Sequence, residues 1–110
     1  MEPGSPLLTV ERSGGTTDPV VVVSGELDVS TSPLLREELS DLLDQHPETL
    51  TLEFRDVSFV DSSGLGALIG ALRRLRESDD SRSLRILHPQ PAVARVFEIT
   101  GLAQVFDLSE

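Results

Sequence analysis

Residues 50–76 read LTLEFRDVSFVDSSGLGALIGALRRLR, and a change of hydrophobic period inside this stretch decides the fold class. Leu50, Leu52 and Phe54 alternate with Thr51, Glu53 and Arg55, the two-residue period of a strand, which runs with a break through Val57 to Val60. After Asp61 the period lengthens to that of a helix, with Leu65, Leu68, Ile69, Leu72 and Leu75 on one face. Arg73, Arg74 and Arg76 close that helix, where cations favour the negative end of the dipole.

The flanking sequence repeats this strand-to-helix alternation. Upstream, Leu8 and Val10 alternate with Thr9 and Glu11 as a first strand, and Gly14-Gly15 marks a turn. Val20 to Val23 form an unbroken β-branched run, expected to be buried on both faces at a central position in the sheet. Thr31, Ser32 and Pro33 signal a helix start, with a hydroxyl for the N-cap and a proline pre-set for the first turn. Leu35, Leu39 and Leu42 carry that helix, acidic on its other faces, to an end near His46-Pro47.

Downstream, residues 77–83 read as a solvated loop and Leu84 to Leu87 as a short strand. Pro91 opens a third helix carrying Val93, Val96 and Phe97, Gly101 caps its end, and Leu102 to Leu108 give a last edge strand. The order β-β-α-β-α-β-α-β predicts an α/β domain: a mixed, mostly parallel sheet of about five strands with three helices and right-handed crossovers. Residues 1–6 are expected to fray and residues 7–110 to form one domain, a length that suits a single core.

The 110 residues hold 9 arginines and no lysine against 19 carboxylates, for a net charge of −10. All of that excess lies in residues 1–61, because residues 62–110 hold six acids and six arginines. Such a chain repels phosphate backbones and anionic membranes, which argues against nucleic acid or membrane as direct partners and for a basic protein partner. There is no secretory leader pattern and no apolar run long enough to span a bilayer, so a cytoplasmic protein is expected. The absence of cysteine removes disulfides, thiolate metal sites and thiol catalysis.

In sheets of this kind partners meet the loops at the carboxyl ends of the parallel strands. Two such loops stand out, Gly25-Glu26-Leu27-Asp28 and Asp61-Ser62-Ser63-Gly64-Leu65-Gly66. Ser62 falls at the positive end of a helix, where unpaired backbone N–H groups can hold an anion such as a phosphate on its own hydroxyl. Gly64, Gly66 and Gly70 each weaken the helix by roughly 1 kcal/mol relative to alanine, and close approach by another backbone is one reason to keep them. Ser62 or Ser63 as a routine N-cap, with glycines that pack the helix on the sheet, accounts for the same residues. The residues alone leave both readings open.

Enzyme chemistry finds little support. The glycine spacing is one residue too long for a dinucleotide fingerprint, no Gly-Lys-Ser/Thr ends a phosphate loop, and no nucleophile elbow frames the serines. His46 and His88 each precede a proline and read as turn residues. Glu26, Asp28 and Asp61 are expected to gather at one end of the sheet, where an acidic patch for a partner is favoured over a cation site.

Val60-Asp61-Ser62-Ser63-Gly64-Leu65-Gly66 resembles the phosphorylation motif of STAS-domain anti-sigma factor antagonists, bacterial proteins that displace sigma factors from their inhibitors. Gly25 to Asp28 and the helix from Pro91 to Phe97 running into Gly101-Leu102 match the same family in order and spacing. The resemblance implies a partner switch. The unphosphorylated protein binds an anti-sigma factor that is itself a serine kinase, the kinase uses ATP and Mg²⁺ to phosphorylate Ser62, and a PP2C-type phosphatase resets the cycle. Glu26, Asp28, Asp61, Ser63, Gly64, Leu65 and Gly66 then form the partner-binding surface, with Asp28 facing a basic residue of the kinase. This chain is expected to have no activity and no cofactor of its own. Many members carry a further C-terminal helix after the last strand, where this sequence stops at Glu110. An alternative within the same fold is an unphosphorylated STAS subunit of a lipid transporter or a stressosome-like assembly.

Overall fold

A computed structural model describes residues 8–109; the expected frayed start at residues 1–6, and the domain limits at 7 and 110, lie outside them. Strands β1 (Leu8–Ser13), β2 (Val20–Leu27), β3 (Leu50–Val60), β4 (Leu84–Leu87) and β5 (Asp107–Ser109) form one sheet in that order. β1 is antiparallel to β2, and each later neighbour pair is parallel. Helices α1 (Ser32–Leu43), α2 (Ser62–Ser78) and α3 (Pro91–Ile99) fill the crossovers, as the alternation predicts.

The core lies on one side of the sheet. Val21, Val23 and Leu27 of β2, Leu50 and Leu52 of β3, and Leu84 and Ile86 of β4 point into it, against Leu35 and Leu39 of α1, Leu68 and Leu72 of α2, and Phe97 of α3. The valine run is therefore not buried on both faces as expected: Val20 and Val22 face the other way and are only half-buried. β-Branched side chains shelter one another laterally on any pleated surface, so a valine run marks a strand without stating how many of its faces are covered.

The break expected in β3 is a pair of register irregularities. Between Val22 and Ser24, and again between Gly25 and Glu26, β3 gains one residue on β2. Its buried positions accordingly change from every second residue to every third, at Phe54, Val57 and Val60. Bulges of this kind re-aim side chains.

Elsewhere element ends differ by a few residues. α1 stops at Leu43, short of His46-Pro47, and α2 runs on to Ser78. His46 and His88 both take left-handed backbone, at φ 53° and 54°, a conformation uncommon outside glycine and found mostly in turns, in keeping with their reading as turn residues. The segment Leu102–Leu108 is not one strand. Leu102–Gln104 form a 3₁₀ turn in which the Leu102 carbonyl accepts from Val105 and Phe106 N–H, and this places the Phe106 ring edge-on to Phe97 at 5.6 Å before β5 begins.

The helical glycines separate into two kinds. A Cβ built on Gly70 would meet only the tip of the Arg36 guanidinium, at 3.7 Å, an ordinary contact with a movable group. Gly70→Ala is therefore expected to raise stability by up to about 1 kcal/mol through helix propensity, seen as a higher thermal midpoint. A lower midpoint would show that some contact at this position needs glycine.

Candidate functional site

The β2–α1 loop is organised by one carboxylate. Asp28 Oδ1 accepts from Ser30 N–H at 2.9 Å, Ser30 Oγ at 2.8 Å and Thr31 N–H at 3.1 Å, while Oδ2 has no partner among the described residues. The Ser30 hydroxyl, above all, and the two backbone N–H groups hold the Asp28 carboxyl below the usual aspartate range. A depressed pKa adds stability above the ordinary aspartate range, and this is lost as pH falls through the folded value. Ser30→Ala is expected to move Asp28 titration, followed by NMR of the side-chain carboxyl, upward toward the ordinary value. An unmoved titration would remove the hydroxyl as the cause.

Thr31 stands at the N-cap of α1 but does not cap it with its side chain. Its hydroxyl donates instead to the Glu26 carbonyl at 2.7 Å and accepts from Asp28 N–H at 2.9 Å, which fixes the loop. The sequence signal for a capping hydroxyl was thus right about the helix start and wrong about what the hydroxyl does.

At the end of β3 the cap is Asp61. Its extended backbone, φ −113° and ψ −171°, turns Oδ1 onto Ser63 N–H at 2.9 Å and Gly64 N–H at 3.1 Å, and its carbonyl accepts from Leu65 N–H at 2.9 Å. Neither serine serves as the cap. Ser62 is the first helical residue and is exposed, and its hydroxyl has no hydrogen-bond partner among the described residues. The expectation that open backbone N–H groups would receive an anion here needs correction, because Asp61 already occupies those of Ser63 and Gly64. A phosphate on Ser62 would stand beside that carboxylate, and its charge would stay at the surface.

One hydrogen bond joins the two loops, from Asp61 N–H to the Leu27 carbonyl at 3.1 Å. Gly64 permits it. A Cβ there would lie 2.6 Å from Leu27 Cγ and 3.0 Å from the Leu27 carbonyl oxygen. Of the residues expected to meet a partner, Glu26 and Ser62 are exposed, while Asp28, Asp61, Ser63 and Gly66 are partly so. Gly64 and Leu65 are a correction: both are buried and support the surface from beneath. Leu27 and Thr31 hold the loops together but carried no signal in the sequence that set them apart from ordinary core and cap residues.

Glu26, Asp28 and Asp61 share this end of the sheet, and among the described residues no set of three His, Asp or Glu groups converges as metal ligands do. One cleft, of about 780 Å³, lies between Arg55, His88 and α3, and another of about 220 Å³ lies between α1 and α2. Neither is lined by Asp28, Asp61 or Ser62. A serine on an open acidic surface suits contact with another macromolecule better than enclosure of a small substrate. Among the described residues no helix is long and apolar enough to cross a membrane.

Residues 8–110 match the STAS domain family. The chain is 34% identical over 102 residues to the anti-sigma-B factor antagonist of Bacillus subtilis, covering 93% of this chain and 91% of that protein. It also resembles the solved anti-sigma factor antagonist SpoIIAA in its unphosphorylated form, at 28% identity and a TM-score of 0.78, over 93% of this chain and 89% of the other. Against the phosphorylated form of the Bacillus protein the TM-score is 0.69 at the same 28% identity, over 93% and 92% of the two chains.

Proposed function

The chain belongs to the STAS-domain family of anti-sigma factor antagonists, and on that premise we propose that it is a partner switch controlled by phosphorylation of Ser62. Unmodified, it docks its acidic end on an anti-sigma factor and so releases the sigma factor. The observation that carries this reading is that Asp61 caps α2 and leaves the Ser62 hydroxyl exposed and uncommitted. A serine needed as a cap would lose that role on modification; this one has none to lose.

The anti-sigma partner is a serine kinase. Ser62 Oγ attacks the terminal phosphorus of ATP, a new O–P bond forms as the bond to ADP breaks, and the hydroxyl proton passes to a base on the kinase. On this reading the kinase supplies that base, and the Asp61 carboxylate stays committed to the helix start through Oδ1, which two backbone N–H groups hold. In this scheme Mg²⁺ and ATP are bound by the kinase. The added phosphate brings roughly −1.5 to −2 charges beside Asp61 and near Asp28. Repulsion and desolvation then act on the docked complex, while the hydrogen bonds that hold α2 are unchanged. A PP2C-type phosphatase restores the hydroxyl.

The test is to incubate the protein with each purified anti-sigma serine kinase of its source organism and MgATP, then map phosphate by mass spectrometry. One phosphate on Ser62, absent from Ser62→Ala, is expected. Modification only at another residue, or none with any kinase, would reject the switch.

A further inference from the structure

Five large apolar side chains remain exposed among the described residues, and three of them, Val29, Leu34 and Phe59, stand at the end of the sheet that carries Ser62. Phe59 is 48% exposed and Val29 72%. Val29 follows Asp28 directly, and Phe59 is the register partner of Glu26, two residues before Asp61. The exposure of Phe59 follows from how β3 is built. The second irregularity, between Gly25 and Glu26, puts Val57 and Val60 in the core and leaves both Ser58 and Phe59 outside. An uninterrupted two-residue alternation from Val57 would have turned Phe59 inward.

An aromatic ring held out of the core, at a strand end rimmed by carboxylates, has the composition of an interface anchor rather than of ordinary surface. We propose that Phe59, with Val29 beside the Asp28 loop, is the apolar anchor of the docking surface, and that its occupant is a recess on the anti-sigma factor, apolar at its floor and ringed by arginine or lysine. Charge complementarity selects this occupant. Glu26 is the register partner of Phe59, Asp28 directly precedes Val29, Asp61 follows Phe59 by two residues, and the excess negative charge of the chain falls in its first 61 residues. A second copy of this chain would bring the same carboxylates against themselves. The proposal rests on the antagonist reading above and adds the residues that hold the partner.

Anchor and rim make separable contributions. The ring acts once the partners are docked and so governs dissociation, whereas the exposed carboxylates steer encounter and govern association and its salt dependence. Phe59→Thr keeps a β-branched residue in the strand, and Phe59→Tyr keeps the ring. By surface plasmon resonance against the purified anti-sigma kinase that phosphorylates Ser62, Phe59→Thr is expected to bind about 30-fold more weakly through faster dissociation. Phe59→Tyr should stay within a few-fold of wild type, and Val29→Ala should lose several-fold. Glu26→Gln should slow association and flatten its dependence on salt. Equal binding by Phe59→Thr and wild type, with Ser62→Asp still excluded, overturns the anchor and leaves the switch standing. Failure of the wild-type protein to bind any such kinase overturns both. A wild-type dimer in analytical ultracentrifugation that Phe59→Thr converts to monomer would give the patch to a second copy instead, against the proposal.

Discussion

Ser62→Ala is expected to bind the anti-sigma kinase as tightly as the unmodified protein and to stay bound in the presence of MgATP, whereas Ser62→Asp is expected to bind far more weakly. The size of the difference follows from the surroundings of the hydroxyl. Burying an unmatched charge in a close-packed interface commonly costs 2 to 5 kcal/mol, roughly 30-fold to several-thousand-fold in affinity. At Ser62 the new charge finds the Asp61 carboxylate adjacent and the Ser63 and Gly64 N–H groups already engaged by it, so little in this chain offsets it. Aspartate carries one charge where phosphoserine carries nearly two, and Ser62→Asp therefore falls at the lower end of that range. Both variants should unfold at midpoints close to wild type, since the serine is exposed and makes no contact that holds α2. Titration calorimetry of the two variants against the same kinase decides it. Comparable affinities would count against electrostatic release. A large loss of stability in Ser62→Asp would mean that the charge acts by unfolding the helix start.

Much of this site is legible in the sequence, because it lies where periodicity changes. The two-residue period of Leu50, Leu52 and Phe54 and the helical spacing from Leu65 onward place Asp61 and Ser62 at a strand-to-helix junction, and parallel topology alone brings Glu26 and Asp28 to the same end. Two kinds of feature were not legible. Asp61, Ser62 and Ser63 are three consecutive residues able to cap, and the choice among them depends on where the backbone leaves the strand. The extended conformation of Asp61 settles that choice, and with it the freedom of Ser62. The irregularities in β3 depend on how it pairs with β2, so a local pattern containing Val57, Phe59 and Val60 could not say which of the three faces out. The valine run of β2 misled for a related reason. Side-chain shape reports the pleated surface, and coverage of the second face depends on where the helices go.

Gly64→Ala should act in the opposite direction to Gly70→Ala, although both replace a glycine by the best helix former in the same helix. Propensity favours alanine at each position by about 1 kcal/mol. At Gly70 nothing opposes that gain. At Gly64 the new methyl would sit 2.6 Å from Leu27 Cγ and 3.0 Å from the Leu27 carbonyl oxygen, and neither neighbour can give way freely. The Leu27 side chain is fully buried, and its carbonyl is held by Asp61 N–H. Overpacking of this kind costs about 1 to 3 kcal/mol, and with two constrained neighbours the upper part of that range outweighs the propensity gain. A net loss of about 1 to 2 kcal/mol lowers the melting point of a domain this size by about 5 to 15 °C. The relief available is for the start of α2 to move off β2, which stretches the Asp61 to Leu27 hydrogen bond and separates the loop of Asp28 from that of Ser62. Gly64→Ala should therefore also weaken kinase binding while Gly70→Ala leaves it unchanged, a contrast that thermal unfolding and affinity measured on the same two variants would test together. Equal or greater stability of Gly64→Ala would show that α2 is not pinned against Leu27, and the two loops would then owe their alignment to something other than this contact.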